Sequence, residues 1–453
     1  MTRRTRGSRW QAVRATVTGS LWPIPTMAVT AAVGLGIGLT ELDQALAFGD
    51  NPAQFVFTGG PSAARTVLSA IASSLISVTT LLFSLTIVTL QLASSQYSPR
   101  LLQTFVRDRV VQICLGVLLG TFVYALAVLR TVRSADEAQG SSFVPRISVT
   151  VAFVLALASV AALVTFLSHQ TRQLRVETMM RDVHAEASPT VRRIDRELDE
   201  DDQPDEDLPP VPERARPVCA RHSGFYVQLA EAPLLEALAG SGASLQLAVR
   251  PGDPVIEGTP VGWAWTDAPG TEVPVEDLEA ALGRHLTLAY ERYDLGDPSY
   301  GLRKLVDIAA RALSPGINDP TTAVHALSHV SALLGQATAR DTRHRRVSDE
   351  TGRERLQIAS WDFPALMDLA LTQPRLYGSE DPTVVARLFA LLAEVAWRAR
   401  TPRQRAAVLT QRDALAGQCA ADPPTGRTAA DVRRWAGAVD AALAGRWEPL
   451  LGR

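Results

Sequence analysis

The sequence has almost no lysine and very little cysteine. Lys304 is the only lysine among 453 residues, so 44 of the 45 basic residues are arginine. The three cysteines, Cys114, Cys219 and Cys419, lie far apart, and this spacing excludes a disulfide framework and a zinc site built from cysteine pairs. The formal net charge of −2 lacks the basic excess of nucleic-acid-binding proteins, so we predict no nucleic-acid partner.

Motifs for enzymatic chemistry are missing as well. The sequence has no Ser-His-Asp order, nucleophile elbow, phosphate-binding loop or glycine-rich dinucleotide fingerprint. His325 and His329 could share a metal ion only with a third ligand such as Asp307 or Asp319, and neutral histidines inside a helix pair are commoner. We therefore predict no catalytic residue, no metal site and no enzymatic activity.

Charge is absent from four long apolar stretches in the first 170 residues. The stretch Thr66–Leu92 has 27 uncharged residues, more than the ~20 that a helix needs to cross hydrocarbon. The first apolar run follows five arginines like a signal peptide, but its length and the lack of a small-residue cleavage site favour a membrane span. We predict a four-helix transmembrane domain over 21–167, with spans at 21–40, 66–92, 110–129 and 147–167. No Asp, Glu, Lys, Arg or His lies inside these predicted spans, which argues against a proton-coupled pump or carrier.

Arginines are unequally divided between the two sides of the predicted spans. Eleven lie in the N-terminal tail (residues 1–20), in the loop after the second span and just after the fourth span, against four in the other two loops. Cytoplasmic segments carry the excess of basic residues. The distribution predicts a multi-pass membrane protein with both termini in the cytoplasm.

The second predicted span carries polar residues along one side. They recur at helical spacing and comprise Ser73, Ser77, Thr80, Ser84 and Gln91. Nothing in lipid can hydrogen-bond such groups, so the stripe needs a partner. One interpretation is hydrogen bonding between packed helices, worth about 0.6 kcal/mol per contact. The other is a water-filled path lined by several subunits, which requires a homo-oligomer because four spans are too few to enclose a pore.

The chain beyond the spans has the composition of a soluble protein. It divides into a helical stalk at 168–198, an acidic proline-rich linker at 199–217, a small α/β module with a hairpin at 218–295, and a helical cytosolic domain at 296–453. In the stalk, Val176, Met180, Val183 and Ala187 have the spacing of a helix that could associate across subunits. The predicted fold class is an α-helical membrane domain followed by an α+β cytosolic domain that becomes mostly helical.

The hairpin at 251–261 is similar to the Gly-Asp-x-Val-x-x-Gly turns of lipoyl- and biotinyl-type β-domains. Those domains carry their prosthetic group on a lysine in a nearby hairpin. Here the only lysine lies more than 40 residues downstream of the hairpin, at Lys304. We predict a small β module and no cofactor.

Asp297-Pro298 and Asp319-Pro320 predict the starts of two helices joined by a turn at Pro315-Gly316. Two interpretations of the charges on the first helix remain open. Arg303, Asp307 and Arg311 lie four residues apart and could form an exposed salt-bridge ladder. Alternatively, a small anionic ligand could bind where basic and polar side chains face the start of the second helix, at Arg303, Lys304, Arg311 and Asn318.

The stretches Leu92–Arg100 and Asp297–Ala323 resemble a widespread bacterial family of predicted multi-pass membrane proteins of unknown function. The resemblance covers most of the chain. It implies a bacterial membrane location, and it implies no activity, substrate or catalytic residue. The leading functional hypothesis is an oligomeric channel-like or transport-related protein with a cytosolic regulatory domain. The alternative is a membrane-anchored sensor or scaffold whose cytosolic domain binds an anionic ligand or a protein partner.

Overall fold

The structure is a computed structural model, and it divides into two compact units, residues 1–178 and 179–453. It describes residues 22–46, 57–96, 108–133, 143–173, 175–193, 208–266, 271–292, 296–339 and 344–450. The predicted basic tail at 1–20 and the acidic run at 199–207 lie outside the described residues.

The described residues of the first unit form four long helices before Val176. They are α1 (Pro23–Leu46), α2 (Pro61–Gln96), α3 (Arg109–Leu129) and α4 (Arg146–Gln173). Each is long and apolar enough to cross a membrane. The prediction of four membrane helices at the N-terminal end is confirmed. Helix α2 has 36 residues, and at ~1.5 Å per residue it is longer than the ~30 Å hydrocarbon core of a bilayer.

Helix α3 lies at the centre of this unit and packs against each of the other three helices. Its apolar window is 56% buried, against 22% for each of the others. Gly116 and Gly120 allow α1 to approach, because a Cβ at Gly116 would lie 3.2 Å from the Cβ of Ala28 and one at Gly120 would lie 3.4 Å from the Ala28 carbonyl oxygen. Without a hydrophobic drive in lipid, such close backbone contacts supply the packing energy.

The helices extend beyond the predicted span limits, and the added turns contain ionisable residues. Helix α1 ends at Leu46 and so contains Glu41 and Asp43, while α4 ends at Gln173 and contains His169. Acidic, basic or histidine residues thus lie near at least one end of each of the four helices, including Arg65 in α2 and Arg109 in α3, whereas the helix centres have none. A charge near a helix end is tolerated where protein groups or interfacial water pair with it.

The second unit begins within α5 (Val176–Arg193) and then combines strands and helices. Its first part contains β1 (Arg216–Cys219), β2 (Gly224–Leu229), α6 (Glu231–Ser241), β3 (Ala243–Leu247), β4 (Pro254–Val255), β5 (Pro260–Thr266), α7 (Val275–His285) and β6 (Leu286–Ala289). Its second part contains α8 (Pro298–Ala312), α9 (Pro320–Ala337), β7 (Arg345–Ser348), β8 (Glu354–Ile358), α10 (Phe363–Tyr377), α11 (Pro382–Arg398), α12 (Pro402–Ala421) and α13 (Ala429–Leu443).

The strands form two sheets. The larger has the order β1-β5-β3-β8-β7, in which only the β3–β8 pairing is parallel among the described strands, and the smaller has the antiparallel order β4-β2-β6. Helix α6 packs against β3 and β8, and α7 packs against β1 and β6. Their shared core is made of apolar side chains, among them Leu234, Leu238, Leu245, Leu247, Leu278 and Leu282.

The larger sheet takes two of its five strands from the segment predicted to be helical. Strand β8 pairs with β3, with Leu356 opposite Leu245, and the preceding strand β7 pairs antiparallel with β8. These strands are four and five residues long, and polar side chains such as Arg346 and Gln357 interrupt their apolar pattern. Such short runs give little periodicity, so their strand character depends on pairing with β3.

Four of the remaining helices, α8, α9, α11 and α12, begin where the sequence places a capping residue before proline. Asp297, Asp319, Asp381 and Thr401 each accept a hydrogen bond from a backbone N–H of the first helical turn. Pro is the first helical residue in all four cases, where its missing N–H costs nothing. Helix α11 lies at the centre of this part and packs against α9 and α13. The mostly helical character of the second unit toward its C-terminus is confirmed.

Candidate functional site

The polar stripe of the second span lies on the exposed surface of α2. Ser73, Ser77, Thr80, Ser84 and Gln91 are all exposed in the single chain. The side of α2 that packs within the unit is a different one, formed by Ala64, Leu68, Ala72, Leu75, Thr79, Leu82 and Thr89. The stripe therefore points away from the packed interior formed by the described residues of its unit.

The two sides of α2 are almost diametrically opposed. An α-helix turns by about 100° per residue. Relative to Leu75 at the middle of the buried side, Ser84 lies about 180° around the axis, and Ser73 and Gln91 lie within about 20° of Ser84. Exposed apolar side chains flank the stripe, with Leu81 on one side and Ile87 on the other. The outermost surface of α2 is therefore a narrow polar band between apolar flanks.

Most hydroxyls of this band donate their proton within the helix. Ser77 donates to the carbonyl of Ser73 at 3.0 Å, Thr80 to that of Ile76 at 2.9 Å, and Ser73 to that of Ala70 at 3.2 Å. Each hydroxyl oxygen keeps lone pairs that can accept a further hydrogen bond or contact a cation. The band is therefore chiefly a row of acceptors.

Two polar clusters fix the opposite ends of the four-helix unit. At one end the Asp43 carboxylate accepts hydrogen bonds from the N–H groups of Ile147 and Ser148 at the start of α4. At the other end Asp108 caps α3 through the Val110 N–H at 2.8 Å, and its second oxygen contacts the His169 ring. The sequence did not reveal either cluster, because Asp43 and Asp108 lie between the predicted spans and their partners are distant in the chain.

Gln173 completes the cluster around Asp108. Its side-chain amide donates to Asp108 Oδ2 at 3.2 Å and lies 3.3 Å from His169 Nε2. The carboxylate thus links the start of α3 to the last turn of α4. The arrangement suits helix anchoring, since each polar group is used by a partner inside the unit.

The predicted anion site of the second unit is only partly available to a ligand. Lys304 is 3% exposed, and its ammonium donates to Glu186 of α5 at 2.9 Å and lies 4.6 Å from the centre of the Tyr300 ring. Arg303 is half-buried, and Arg311 and Asn318 are exposed. The charge of Lys304 is already balanced by the Glu186 carboxylate, which lies 118 residues earlier in the chain.

The start of α9 is also occupied by its own cap. Asp319 accepts hydrogen bonds from the Thr322 N–H at 3.1 Å and from the Thr322 hydroxyl at 2.6 Å. These bonds hold the pKa of Asp319 below its usual value. Asn318 has a left-handed backbone with φ of 49°, which fits the tight turn between α8 and α9. The anion site stays a prediction, with its helix start engaged by Asp319.

Helix α5 docks on α8 and α9 within the second unit. Gly301 of α8 makes room for Ala187, because a Cβ at Gly301 would lie 2.2 Å from the Ala187 Cβ. The Ser188 hydroxyl donates to the Gln336 side chain of α9 at 2.8 Å. Of the side chains predicted to associate across subunits, Met180, Val183 and Ala187 are buried within the chain, and Val176 is half-buried.

His325 and His329 differ in their surroundings. His325 is exposed, whereas His329 is half-buried and its ring lies 5.3 Å, centre to centre, from that of His184 on α5. Burial, followed by the neighbouring histidines His184 and His325, lowers the pKa of His329. Among the residues that the structure describes, no group of three acidic, histidine or cysteine side chains could hold a metal ion.

Comparison with known proteins gives a family and no activity. The family described as "Predicted membrane protein (DUF2254)" matches residues 18–394. The chain is 34% identical over 409 residues to the uncharacterized protein Mb1321c of Mycobacterium bovis and to the uncharacterized protein Rv1290c of Mycobacterium tuberculosis. Each match covers 89% of this chain and 77% of the relative. No solved structure matches significantly. With its four apolar helices and a match over most of its length, the chain belongs to this family of predicted membrane proteins.

Proposed function

We propose that the protein is an oligomeric, channel-like protein of the bacterial inner membrane, with a path lined by the polar stripe of α2. The observation that carries this proposal is the exposed position of Ser73, Ser77, Thr80, Ser84 and Gln91, opposite the side on which α2 packs. In a lone chain this stripe would face lipid, which offers no hydrogen-bond partner. Copies of the chain arranged with their α2 helices inward give the stripe water instead.

The interior of the single unit supports a path between copies rather than through one copy. Large side chains fill the region around α3, and Leu115, Leu118, Tyr124 and Phe166 are at most 1% exposed. Packing of this kind leaves no room for a continuous column of water. An aqueous path thus requires several α2 helices from different subunits, as in other pores built from single helices of each subunit.

The length and chemistry of the stripe suit permeation. Ser73 and Gln91 are 18 positions apart. That separation corresponds to about 27 Å along a helix, close to the ~30 Å hydrocarbon core. The hydroxyl oxygens present lone pairs outward because their protons are donated within the helix. Such a row of oxygen acceptors binds water and cations more favourably than anions.

The second unit is proposed to act as a cytosolic regulatory domain without enzymatic activity. Both termini are placed in the cytoplasm on the strength of the arginine distribution. Only residues 174–175 separate α4 from α5, so the soluble unit follows the fourth span almost directly along the chain. A short link of this kind can transmit a change in the soluble unit to the membrane helices.

Ion conductance of the purified protein in planar bilayers tests the proposal. Wild type is compared with Ser77→Leu and Ser84→Leu, which place bulky apolar side chains on the stripe. Ser74→Leu is the matched control, since Ser74 is exposed on the same helix about a quarter turn from the stripe. We expect the two stripe variants to abolish or reduce the current and the control to conduct like wild type.

Assembly is followed in parallel by native mass spectrometry in detergent. A folded, oligomeric wild type that carries no current across voltages and salts would contradict the channel proposal. The alternative would then gain support, namely a membrane-anchored sensor or scaffold in which the stripe only packs copies together. Equal losses of current in all three leucine variants would also contradict a path along this stripe.

A further inference from the structure

The contact between α5 and α9 includes two histidine rings that face each other. The centres of the His184 and His329 rings are 5.3 Å apart, with an angle of 56° between their planes. One turn further along α5, Ser188 donates to Gln336 of α9. The ring pair is therefore part of the surface that docks α5, beside the close contact of Ala187 with Gly301.

The surroundings of the pair suit uncharged rings. Both rings are half-buried, and the Nδ1 atom of His184 is buried without a hydrogen-bond partner among the described residues. A neutral imidazole can leave one nitrogen unused, whereas an imidazolium carries two N–H donors. Protonation of His184 would bury an unsatisfied donor, and protonation of both rings would place two positive charges side by side.

Several charged side chains on α5 and on the neighbouring helices form ion pairs or helix caps of their own. On α5, Glu186 pairs with Lys304 of α8, and Asp182 pairs with Arg181. Beyond these, α9 carries His325 and is capped by Asp319, α11 contributes the Arg387–Glu394 pair, and α8 carries Arg303, Asp307 and Arg311. Among these groups, His325 lowers the pKa of His329, as His184 does.

We propose that His184 and His329 form a proton-sensitive contact that holds α5 against α8 and α9 at neutral pH and weakens when both rings are protonated. The inference goes beyond the proposed channel function and does not depend on it. Helix α5 begins at Val176, shortly after α4 ends at Gln173. Binding of protons to the two rings would therefore loosen the part of the chain that follows the fourth span.

The sign of the pH dependence follows from linkage. Burial and the neighbouring histidines lower the pKa of His329 in the docked state. Released α5 would return this ring to a pKa of about 6.5. Docking is therefore fully stabilised above about pH 6.5 and is lost as the pH falls through that value toward the lowered pKa. Each unit of pKa difference changes the ratio of docked to released α5 about tenfold.

Electron paramagnetic resonance distance measurements on the full chain test the proposal. The three native cysteines are replaced, and spin labels are attached at Ala185→Cys and Ala332→Cys, both exposed positions on α5 and α9. At pH 8 we expect one narrow distance distribution. At pH 5.5, below the released pKa of about 6.5, we expect a second, longer component, with the ratio of released to docked α5 raised by up to about tenfold through His329 alone.

Variants separate the ring pair from other titrating groups. His184→Gln with His329→Gln should keep the narrow distribution at both pH values, because neither position can then be charged. His222→Gln is the matched control, at an exposed position between β1 and β2 and outside this contact, and it should respond like wild type. A wild type whose distances do not change with pH, or a double variant that keeps the full response, would overturn the proposal.

If α5 is already released at pH 8 in the double variant, the single His184→Gln variant is measured instead. This variant has one chargeable ring left at the contact, so its response to pH should be clearly smaller than that of wild type. An unchanged response would overturn the proposal. Bilayer conductance is not used as the readout, so failure of the channel function would leave this result unaffected.

Discussion

Asp43 of the first membrane helix caps the fourth by binding Ser148. Its Oδ2 atom accepts hydrogen bonds from the Ser148 N–H at 3.0 Å and the Ser148 hydroxyl at 2.7 Å, while Oδ1 accepts from the Ile147 N–H at 2.9 Å. The first N–H groups of any helix lack partners inside that helix. Here the carboxylate comes from a position 105 residues earlier in the chain. The pair ties together the ends of two membrane helices that are far apart in sequence.

Replacement of Asp43 by alanine should destabilise the membrane unit. Asp43 is 5% exposed, and its loss leaves two buried N–H groups and a hydroxyl without their acceptor. We expect a loss of about 2 kcal/mol in unfolding free energy, measured by titration with a denaturing detergent. Glu41→Ala is the control, because Glu41 lies on the same helix and is exposed. Equal losses in the two variants would contradict the capping role.

Gly301→Ala should weaken docking of α5. The added methyl group would overlap Ala187 at 2.2 Å, so α5 or α8 has to move. We expect a loss of about 2 kcal/mol in the stability of residues 179–453, measured by urea unfolding. Gly417→Ala on α12 is the control, since nothing lies within 4 Å of its added Cβ. Ala187→Gly in the Gly301→Ala background should restore part of the loss, and no restoration would show that the two residues do not share this contact.

Glu394→Gln should change how stability depends on pH. Burial favours the neutral acid, but hydrogen bonds from Arg387 and Ser331 outweigh it and lower the pKa of Glu394. The carboxylate therefore contributes stability above its unfolded pKa of about 4.3, and this contribution is lost as the pH falls through the lowered value. Between pH 6 and pH 3, wild type should lose more unfolding free energy than Glu394→Gln.

The same variant should cost about 3 kcal/mol at pH 7, because the buried Arg387 guanidinium loses the carboxylate that it binds at 2.6 and 2.8 Å. Asp413→Asn serves as the comparison, since Asp413 pairs with Arg412 at the surface and should cost less than ~1 kcal/mol. Parallel pH profiles for wild type and Glu394→Gln would refute the assigned role.

The small α/β module should not fold without the segment that follows it. A fragment of residues 208–295 lacks β8, whose Leu356 and Ile358 pair with Leu245 and Leu247 of the buried strand β3. We expect this fragment to aggregate or to show a disordered circular dichroism spectrum, and residues 208–450 to fold cooperatively. A stable, cooperative 208–295 fragment would show that β7 and β8 are dispensable.

Sequence patterns were sufficient for the elements whose stability is local. Four uncharged stretches fixed the four membrane helices, since hydrocarbon admits few alternatives to a helix. Asp-Pro pairs located the starts of α8, α9 and α11, because the cap and the proline act within one turn. In both cases the physical cause lies within the residues that form the pattern.

Features that depend on distant pairing left no local signal. Strand β8 is a strand because β3 lies beside it, and its residues alone show little alternation. The partner of Lys304 is Glu186, 118 residues earlier in the chain, so a basic residue that looked available for an anion is already neutralised. The periodicity of the α2 stripe was readable in the sequence, but its position opposite the packed side required the fold.

The intrahelical hydrogen bonds of the α2 stripe also bear on how the protein is made. Ser73, Ser77 and Thr80 already donate to carbonyls of their own helix, so a newly synthesised chain can enter the bilayer before any other subunit is present. The cost of leaving these groups in lipid is thereby reduced to that of their unused lone pairs. Insertion and assembly can then proceed as separate steps, and the order in which subunits meet is left to diffusion in the membrane.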